Sequence, residues 1–229
     1  MAGRRAPPDR AALAKACAAL PVFPLPGLVA LPGTPTPLHV FEPRYRALVA
    51  DVLAGGRLLA LPTLVSEEGA REARAEVRPI AGVVFLASHH LLPDGRSDVI
   101  VRGLARVRLV AEVETSKPYR AFRAELLEDR LPAGGAAALA PRMETVVQLV
   151  LELTQALPVE SGAAQLAEAA AHLRDPSALA DLVAAAVVSE TDARYRVLET
   201  LDVARRLELV EEEVASVLLV LSQGRGPRA

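Results

Sequence analysis

Residues 83–101 read VVFLASHHLLPDGRSDVIV, and this stretch decides the fold of the first part of the chain. Two apolar runs flank Pro93-Asp94-Gly95, a tripeptide that favours a tight turn. Proline presets φ, aspartate bonds to its own backbone and glycine tolerates positive φ. The stretch therefore predicts a β-hairpin. Beyond Gly103, where a bulge is expected, arginines at 106 and 108 alternate with aliphatic residues, which predicts that the arginines share one wet face.

The residues around this hairpin predict a β-rich subdomain over 21–130, because short apolar runs alternate there with proline and glycine. Further strands are expected over 22–25, 38–41, 58–65 and 76–84. The strand at Val22 is expected at a sheet edge, since its neighbouring prolines cannot donate to a ladder. Glu42-Pro43 predicts the start of a helix that ends at Gly55-Gly56.

The later part of the chain predicts a helical subdomain over 141–223, preceded by a Pro-, Gly- and Ala-rich linker over 131–140. Helix starts are expected at Pro141, at Asp175-Pro176, at Ser189–Asp192 and at Asp202. Apolar residues of the last helix recur every three or four positions, which suits either core packing or a partner helix. Residues 1–20 are expected to form a flexible or helical extension.

Composition excludes several classes of protein. The one cysteine, Cys17, excludes an internal disulfide framework and a zinc site built on paired thiolates, and it indicates a reducing cytoplasm. A net charge of −2 and 3% aromatic residues without tryptophan make nucleic acid an unfavoured partner. Asp9 and Lys15 interrupt the alanine-rich stretch near the start, which argues against an export signal. No run of about 18 apolar residues appears, so no membrane span is expected.

Several ordered motifs resemble the amino-terminal, substrate-binding domain of Lon proteases, from about residue 20 to residue 222. The opening motifs are Phe23-Pro24-Leu25-Pro26-Gly27, Leu31-Pro32-Gly33 and Pro37-Leu38-His39-Val40-Phe41-Glu42-Pro43-Arg44-Tyr45. The later ones are Leu92-Pro93-Asp94-Gly95, the Gly103 to Arg108 strand, Asp175 to Val188 and Leu198 to Leu207. The resemblance implies an α+β fold, with a twisted β-sheet pseudo-barrel of the PUA-like type followed by an α-helical bundle.

The resemblance also implies recognition without hydrolysis. The full protease carries an ATPase module and a Ser-Lys proteolytic module after this domain, and this sequence shows neither. It has no phosphate-binding Gly-Lys-Ser/Thr loop, and its lysines, Lys15 and Lys117, lie in no context like that of the catalytic lysine. We therefore expect a stand-alone, non-catalytic module that needs no cofactor.

Several residues could act as metal ligands, catalytic groups or phosphate-binding groups, but ordinary structural roles explain them. His89 and His90 should point to opposite faces of a strand, and no third ligand lies at a supporting spacing. His39 beside Glu42 could be an acid-base pair, but Glu42 lies where a helix cap belongs. Cys17 has no activating histidine nearby. Arginines at 102, 106, 108, 120 and 123 are interleaved with glutamates, which predicts a mixed solvated face rather than a phosphate-binding one.

Apolar residues in expected loops are the candidate peptide-binding site. Val29 and Leu31 lie in a Pro- and Gly-bounded loop, and Leu91 and Leu92 lie beside the hairpin turn, so all are expected at the surface. The expected partners are client polypeptides, bound in an apolar groove or by strand addition at the Pro-rich edge, and a protease or chaperone. RNA binding through the pseudo-barrel, a hydrolase activity at His39 and homo-oligomeric assembly through the last helix remain alternatives.

Overall fold

The predicted hairpin forms the centre of the first folded unit in the computed structural model, which describes residues 8–66 and 74–223. The chain divides into two units, Met1–Leu127 and Glu128–Ala229. The four-part division drawn from the sequence stays a prediction, and residues 1–7 of the expected extension lie outside the described residues. Part of the stretch expected as a linker forms a 3-10 helix, Ala136–Leu139.

The first unit combines two helices with a sheet whose strand pairs are antiparallel. Its elements are α1 (Arg10–Ala16), β1 (Leu20–Pro21), β2 (Pro35–Val40), α2 (Pro43–Ala54), β3 (Leu58–Leu61), β4 (Ile80–Leu91), β5 (Ser97–Val113) and β6 (Ala121–Leu126). The strand order is β1-β6-β5-β4-β3, and β2 lies on the first part of β5. The hairpin of β4 and β5 is confirmed, with the turn closed by the Leu92 amide donating to Arg96 O at 2.8 Å.

The segment that follows β1 closes the sheet into a pseudo-barrel. The Val22 amide donates to Arg120 O at 3.0 Å on the β6 side, and the Phe23 amide donates to Ala60 O of β3 at 2.9 Å. The Leu25 amide continues to Pro62 O at 3.1 Å. The prediction that this segment is an edge strand is therefore wrong. Its prolines lack amides, but the intervening residues donate alternately to both sides, so the segment fills the gap between two strands.

Helix α2 begins and ends where predicted, and it packs its apolar side against the sheet. Glu42 occupies the N-cap position, Pro43 the first turn and Gly55 the C-cap. The buried side chains of the helix join residues of β3, β4 and β5 in one apolar cluster, in which the rings of Phe23 and Tyr45 stack at 4.1 Å between centroids. The side chains on one face of the hairpin therefore pack in the core.

The loop between β1 and β2 lies against the sheet rather than in solvent. A Cβ added to Gly82 would stand 2.1 Å from Ala30 O, and one added to Gly103 would stand 2.0 Å from Leu31 O. The two glycines therefore allow loop and strand backbones to touch. Arg106, which is paired with Gly82 in the ladder, is 3% exposed, so the prediction that it shares a wet face with Arg108 is wrong. The loop covers that part of the sheet.

The second unit consists of α3 (Ala140–Ala156), α4 (Ala163–His172), α5 (Pro176–Val187), α6 (Thr191–Glu199) and α7 (Val203–Gln223). Two predicted helix starts are confirmed by their caps. Asp175 accepts from the Ser177 amide at 2.9 Å, and Asp202 accepts from the Arg205 amide at 3.0 Å. Leu207, Val210 and Val214, which the spacing placed on one stripe of α7, are buried.

A buried polar network crosses this helical core. Arg206 is fully buried and donates to both carboxylate oxygens of Asp129, at 2.5 and 3.1 Å. Its Nε donates to Thr200 O at 2.9 Å, its Nη1 donates to Ser177 Oγ at 2.6 Å, and the buried Asp181 carboxylate lies 3.8 Å from Nη1. The network joins the start of the unit, α5 and the turn between α6 and α7 to one side chain of α7.

Candidate functional site

The four predicted binding residues divide into two pairs. Val29 is 6% exposed and Leu31 is 1% exposed, so the prediction that they lie at the surface is wrong. The close approach of their loop to Gly82 and Gly103 buries them. Leu91 is 62% exposed and Leu92 is half-buried beside the turn, so the hairpin pair does reach solvent. Their role in peptide binding stays a prediction.

A larger exposed surface lies on the sheet face opposite α2. Residues paired across an antiparallel ladder point to the same face, so the register shows which side chains share this surface. Two rows cross β2, β5 and β4: His39, Asp98 and His90, then Pro37, Ile100 and Ser88. Together with Phe41 these residues, all exposed, form what we term the outer sheet face.

Two large apolar side chains of the outer sheet face stand in solvent. Phe41 is 60% exposed and Ile100 is 45% exposed. Alternation along the strands explains this, because Val40, Val99 and Val101 point to the other face and are buried against α2. Neither exposed residue was singled out from the sequence, since every residue of Val99-Ile100-Val101 is apolar and the pattern cannot show which one points outward.

A polar row divides this apolar surface. His39 Nδ1 lies 2.7 Å from Asp98 Oδ1, and the rings of His39 and Phe41 are 6.2 Å apart between centroids and nearly parallel. His90 is the other ladder partner of Asp98. The outer sheet face therefore offers apolar contacts together with hydrogen-bonding groups that can engage a backbone or a polar side chain.

The free side of β2 is poorly suited to strand addition. The Gly103 amide donates to Thr34 O at 3.0 Å, so in this ladder the even-numbered residues bond to β5 and the odd-numbered ones face away. Pro35 and Pro37 are odd-numbered and have no amide hydrogen. A partner strand would meet carbonyl acceptors but few donors, which is a known protection of sheet edges. The exposed side chains of the face, rather than the strand edge, are the available contacts.

The other candidate groups have structural partners. His89 Nε2 lies 2.9 Å from Ser97 Oγ, on the face opposite to His90, and Glu42 accepts from Arg44 at 2.9 Å rather than pairing with His39. Cys17 is buried, and burial raises the pKa of its thiol. Within residues 8–66 and 74–223, no group of three or more His, Cys, Asp or Glu side chains is placed to hold a metal ion.

The last helix carries a second exposed apolar patch. Leu219 is 59% exposed and Val220 is 65% exposed on α7, and Leu151 of α3 is 39% exposed. Leu151 and Leu219 line a shallow groove within the second unit. Assembly through this helix stays a prediction. No helix in the described part of the chain combines the length and apolarity needed to cross a membrane.

The closed sheet followed by a helical unit is the architecture of Lon amino-terminal domains. The chain matches the solved N-terminal domain of a Mycobacterium avium complex Lon protease with a TM-score of 0.68 and 18% identity, over 86% of this chain and 98% of that one. The Lon N-terminal domain protein from Xanthomonas campestris gives a TM-score of 0.57 at 20% identity, over 83% and 95%. These likenesses establish the fold.

The family follows from the sequence comparisons. Residues 19–216 match the model of the ATP-dependent protease La (LON) substrate-binding domain, so the chain belongs to that family. It is 32% identical to the Lon protease of Salinispora arenicola over 84% of this chain and 23% of that protein, and 27% identical to that of Desulfosudis oleivorans over 90% and 25%. The chain thus spans about a quarter of the length of these curated relatives. The family resemblance predicted from the motifs is confirmed.

Proposed function

We propose that the chain binds apolar, unfolded segments of client polypeptides on its outer sheet face and carries out no reaction on them. Membership of a substrate-binding family supports the general role. The exposure of Phe41 and Ile100 on one face around the His39 and Asp98 pair is the observation that supports this face as the site. Exposed apolar side chains grouped on a rigid sheet are typical of protein contact sites.

The client would lie across the face rather than extend the sheet. The prolines of β2 remove donors from the free side of that strand, and the segment after β1 is hydrogen-bonded on both sides. Side-chain contacts with Phe41, Ile100 and Pro37 would then provide the affinity, while the polar row would bond to the client backbone. We also propose that binding takes place in the cytoplasm and that clients pass on to a protease or chaperone.

A binding titration tests this proposal. Fluorescence anisotropy would follow a labelled, permanently unfolded model protein against wild type and a Phe41→Ser/Ile100→Ser variant. Partial burial of two large apolar side chains contributes about 1–3 kcal/mol, so we expect micromolar binding by wild type and a loss of about tenfold or more in the variant.

The matched control is Leu151→Ser/Leu219→Ser, which removes two exposed apolar side chains from the second unit and should change the affinity less than twofold. A Leu91→Asp/Leu92→Asp variant would show how far the hairpin tip contributes. Absence of wild-type binding at micromolar concentration, or equal losses in the face variant and its control, would end the proposal. Salt-dependent retention of RNA by the same protein would instead favour the RNA-binding alternative.

A further inference from the structure

A cavity in the second unit is lined largely by apolar side chains, many of them alanines. It lies where the 3-10 helix Ala136–Leu139 and the first turns of α3 meet the end of α4, and its volume is about 380 Å³. The wall includes Ala137, Ala140, Met143, Val147, Ala170 and Leu173. Alanines from three elements meet here, and their short side chains leave the space between the helices unfilled.

The size of this space suits one large apolar group. Ligand cavities commonly hold about 300–1,000 Å³, so this one is near the lower end of the range. A single aromatic or leucine-sized side chain with its own backbone fits such a volume, whereas a folded element does not. The cavity is open on one side, so a chain end can enter it from solvent.

The cavity also has polar lining residues. Glu144 of α3, Gln148 of α3 and Arg174, which follows α4, line it. Among the described residues, neither Glu144 nor Arg174 takes part in an ion pair. Arg142, two residues before Glu144, differs because it pairs with Glu208 at 3.2 Å and Glu211 at 3.4 Å of α7. The Arg174 guanidinium therefore remains available to an anion.

We propose that this cavity, which we term the alanine pocket, binds the C-terminal residue of a polypeptide when that residue is large and apolar. Such a residue carries three groups on one Cα. The side chain enters the pocket, the terminal carboxylate pairs with Arg174, and the amide hydrogen donates to Glu144 or Gln148. Arginine suits a carboxylate because its planar fork can bond both oxygens.

This inference deepens the proposed binding of client polypeptides and rests on it, but it concerns a separate surface. The outer sheet face selects apolar side chains anywhere in a chain, whereas the alanine pocket selects a chain end. A client with an apolar C-terminus would gain affinity from a second contact, and one ending in a polar residue would not.

Labelled peptides test the assignment with the full chain. Three peptides share a glycine-serine body, which offers nothing to the outer sheet face, and end in phenylalanine acid, phenylalanine amide or alanine acid. We expect the phenylalanine acid to bind, with a loss of about fivefold or more for the amide and about tenfold or more for the alanine acid. The Arg174→Gln variant should bind acid and amide alike, whereas Arg123→Gln, at an exposed arginine of the first unit, should retain the preference for the acid.

A matched pair of alanine-to-phenylalanine substitutions tests whether the peptide binds in the alanine pocket. Ala171 lines the pocket and is exposed, and Ala169 is exposed on the same helix without lining it. Ala171→Phe should abolish binding of the phenylalanine acid, and Ala169→Phe should leave it unchanged. Equal effects of the two fillings would overturn the proposal, as would equal binding of acid and amide by wild type, or binding of free phenylalanine but not of the peptide. If the unfolded model protein binds and the phenylalanine peptide does not, this inference fails while the proposed function stands; if neither binds, both fail.

Discussion

In the first unit, Phe41 and Ile100 stand in solvent on a sheet face, whereas in the second unit the charged side chain of Arg206 is fully buried. Each unit thus places one kind of side chain where it costs stability. Burial of the exposed apolar groups by a partner would be favourable, because it removes apolar surface from water. The desolvation cost of the buried guanidinium is instead offset by its hydrogen bonds and ion pairs within the second unit. The first unit thus has a surface suited to binding, and the second unit has a core suited to holding one arrangement.

The largest expected effect comes from removing the buried charge. Arg206→Leu keeps most of the side-chain volume but leaves the buried Asp181 carboxylate and Asp129 without the guanidinium. Breaking a buried pair from one side typically costs about 3–5 kcal/mol, and we expect the free energy of unfolding of the second unit to fall by that amount. Urea denaturation followed by circular dichroism, with hydrogen exchange to assign the unit, measures it.

The neighbouring arginine provides the control. Arg205 lies on the surface, where it pairs with Glu208 at 3.0 Å and Glu212 at 3.2 Å. Exposed pairs contribute little to stability because water screens them, so Arg205→Leu should leave the urea midpoint nearly unchanged. If the two variants have the same midpoint, the buried network does not hold the helical core and the contrast between the units is lost.

The sequence predicted those elements whose signals are local. Pro93-Asp94-Gly95 marked the hairpin turn, Glu42-Pro43 the start of α2, and Asp175 and Asp202 two helix caps. Each of these residues satisfies or presets the backbone within a few positions, so its pattern carries the information. Helix α4 lacks such a signal at its start, because Gly162 provides no side-chain cap.

The remaining features depend on contacts between distant residues. Val29 and Leu31 looked exposed because their loop is rich in proline and glycine, yet two glycines more than 50 positions later bury them. Arg205 and Arg206 are adjacent and chemically alike, so only the packing of α7 decides which one is buried. For the candidate site, local patterns predicted the exposure of the hairpin pair but did not point to Phe41, which follows the last residue of β2 and lies beside His39.

The stability of the first unit is expected to depend on the close packing of the loop between β1 and β2 against the sheet. Gly103→Ala would bring a Cβ within 2.0 Å of the Leu31 carbonyl oxygen, so the backbone must move. Overpacking of this kind costs about 1–3 kcal/mol, and we expect the unfolding free energy of the first unit to fall by about that much. Gly56→Ala is the control, since a Cβ there has no heavy atom within 4 Å. Limited proteolysis should cut the loop faster only in the Gly103 variant, and equal behaviour would show that the close approach does not hold the loop.

The smallest expected effect concerns acid stability of the first unit. Asp51 of α2 accepts from Tyr119 Oη at 2.6 Å and from Lys117 Nζ at 2.8 Å. Both bonds lower the pKa of the Asp51 carboxyl, and the bond from Lys117 has the larger effect. A carboxyl whose pKa is lowered in the folded state stabilises the protein at pH values above its ordinary pKa of about 4. This stabilisation is lost as the pH falls through the lowered pKa of the folded state. Asp51→Asn should therefore lower the urea midpoint at pH 7 and leave it close to that of wild type at pH 2. Arg206→Leu, in contrast, should remain destabilising at both pH values, because loss of the guanidinium removes its hydrogen bonds to Thr200 O and Ser177 Oγ, which do not titrate. A constant difference between wild type and Asp51→Asn across this range would show that ionisation of Asp51 adds nothing to the stability of the first unit.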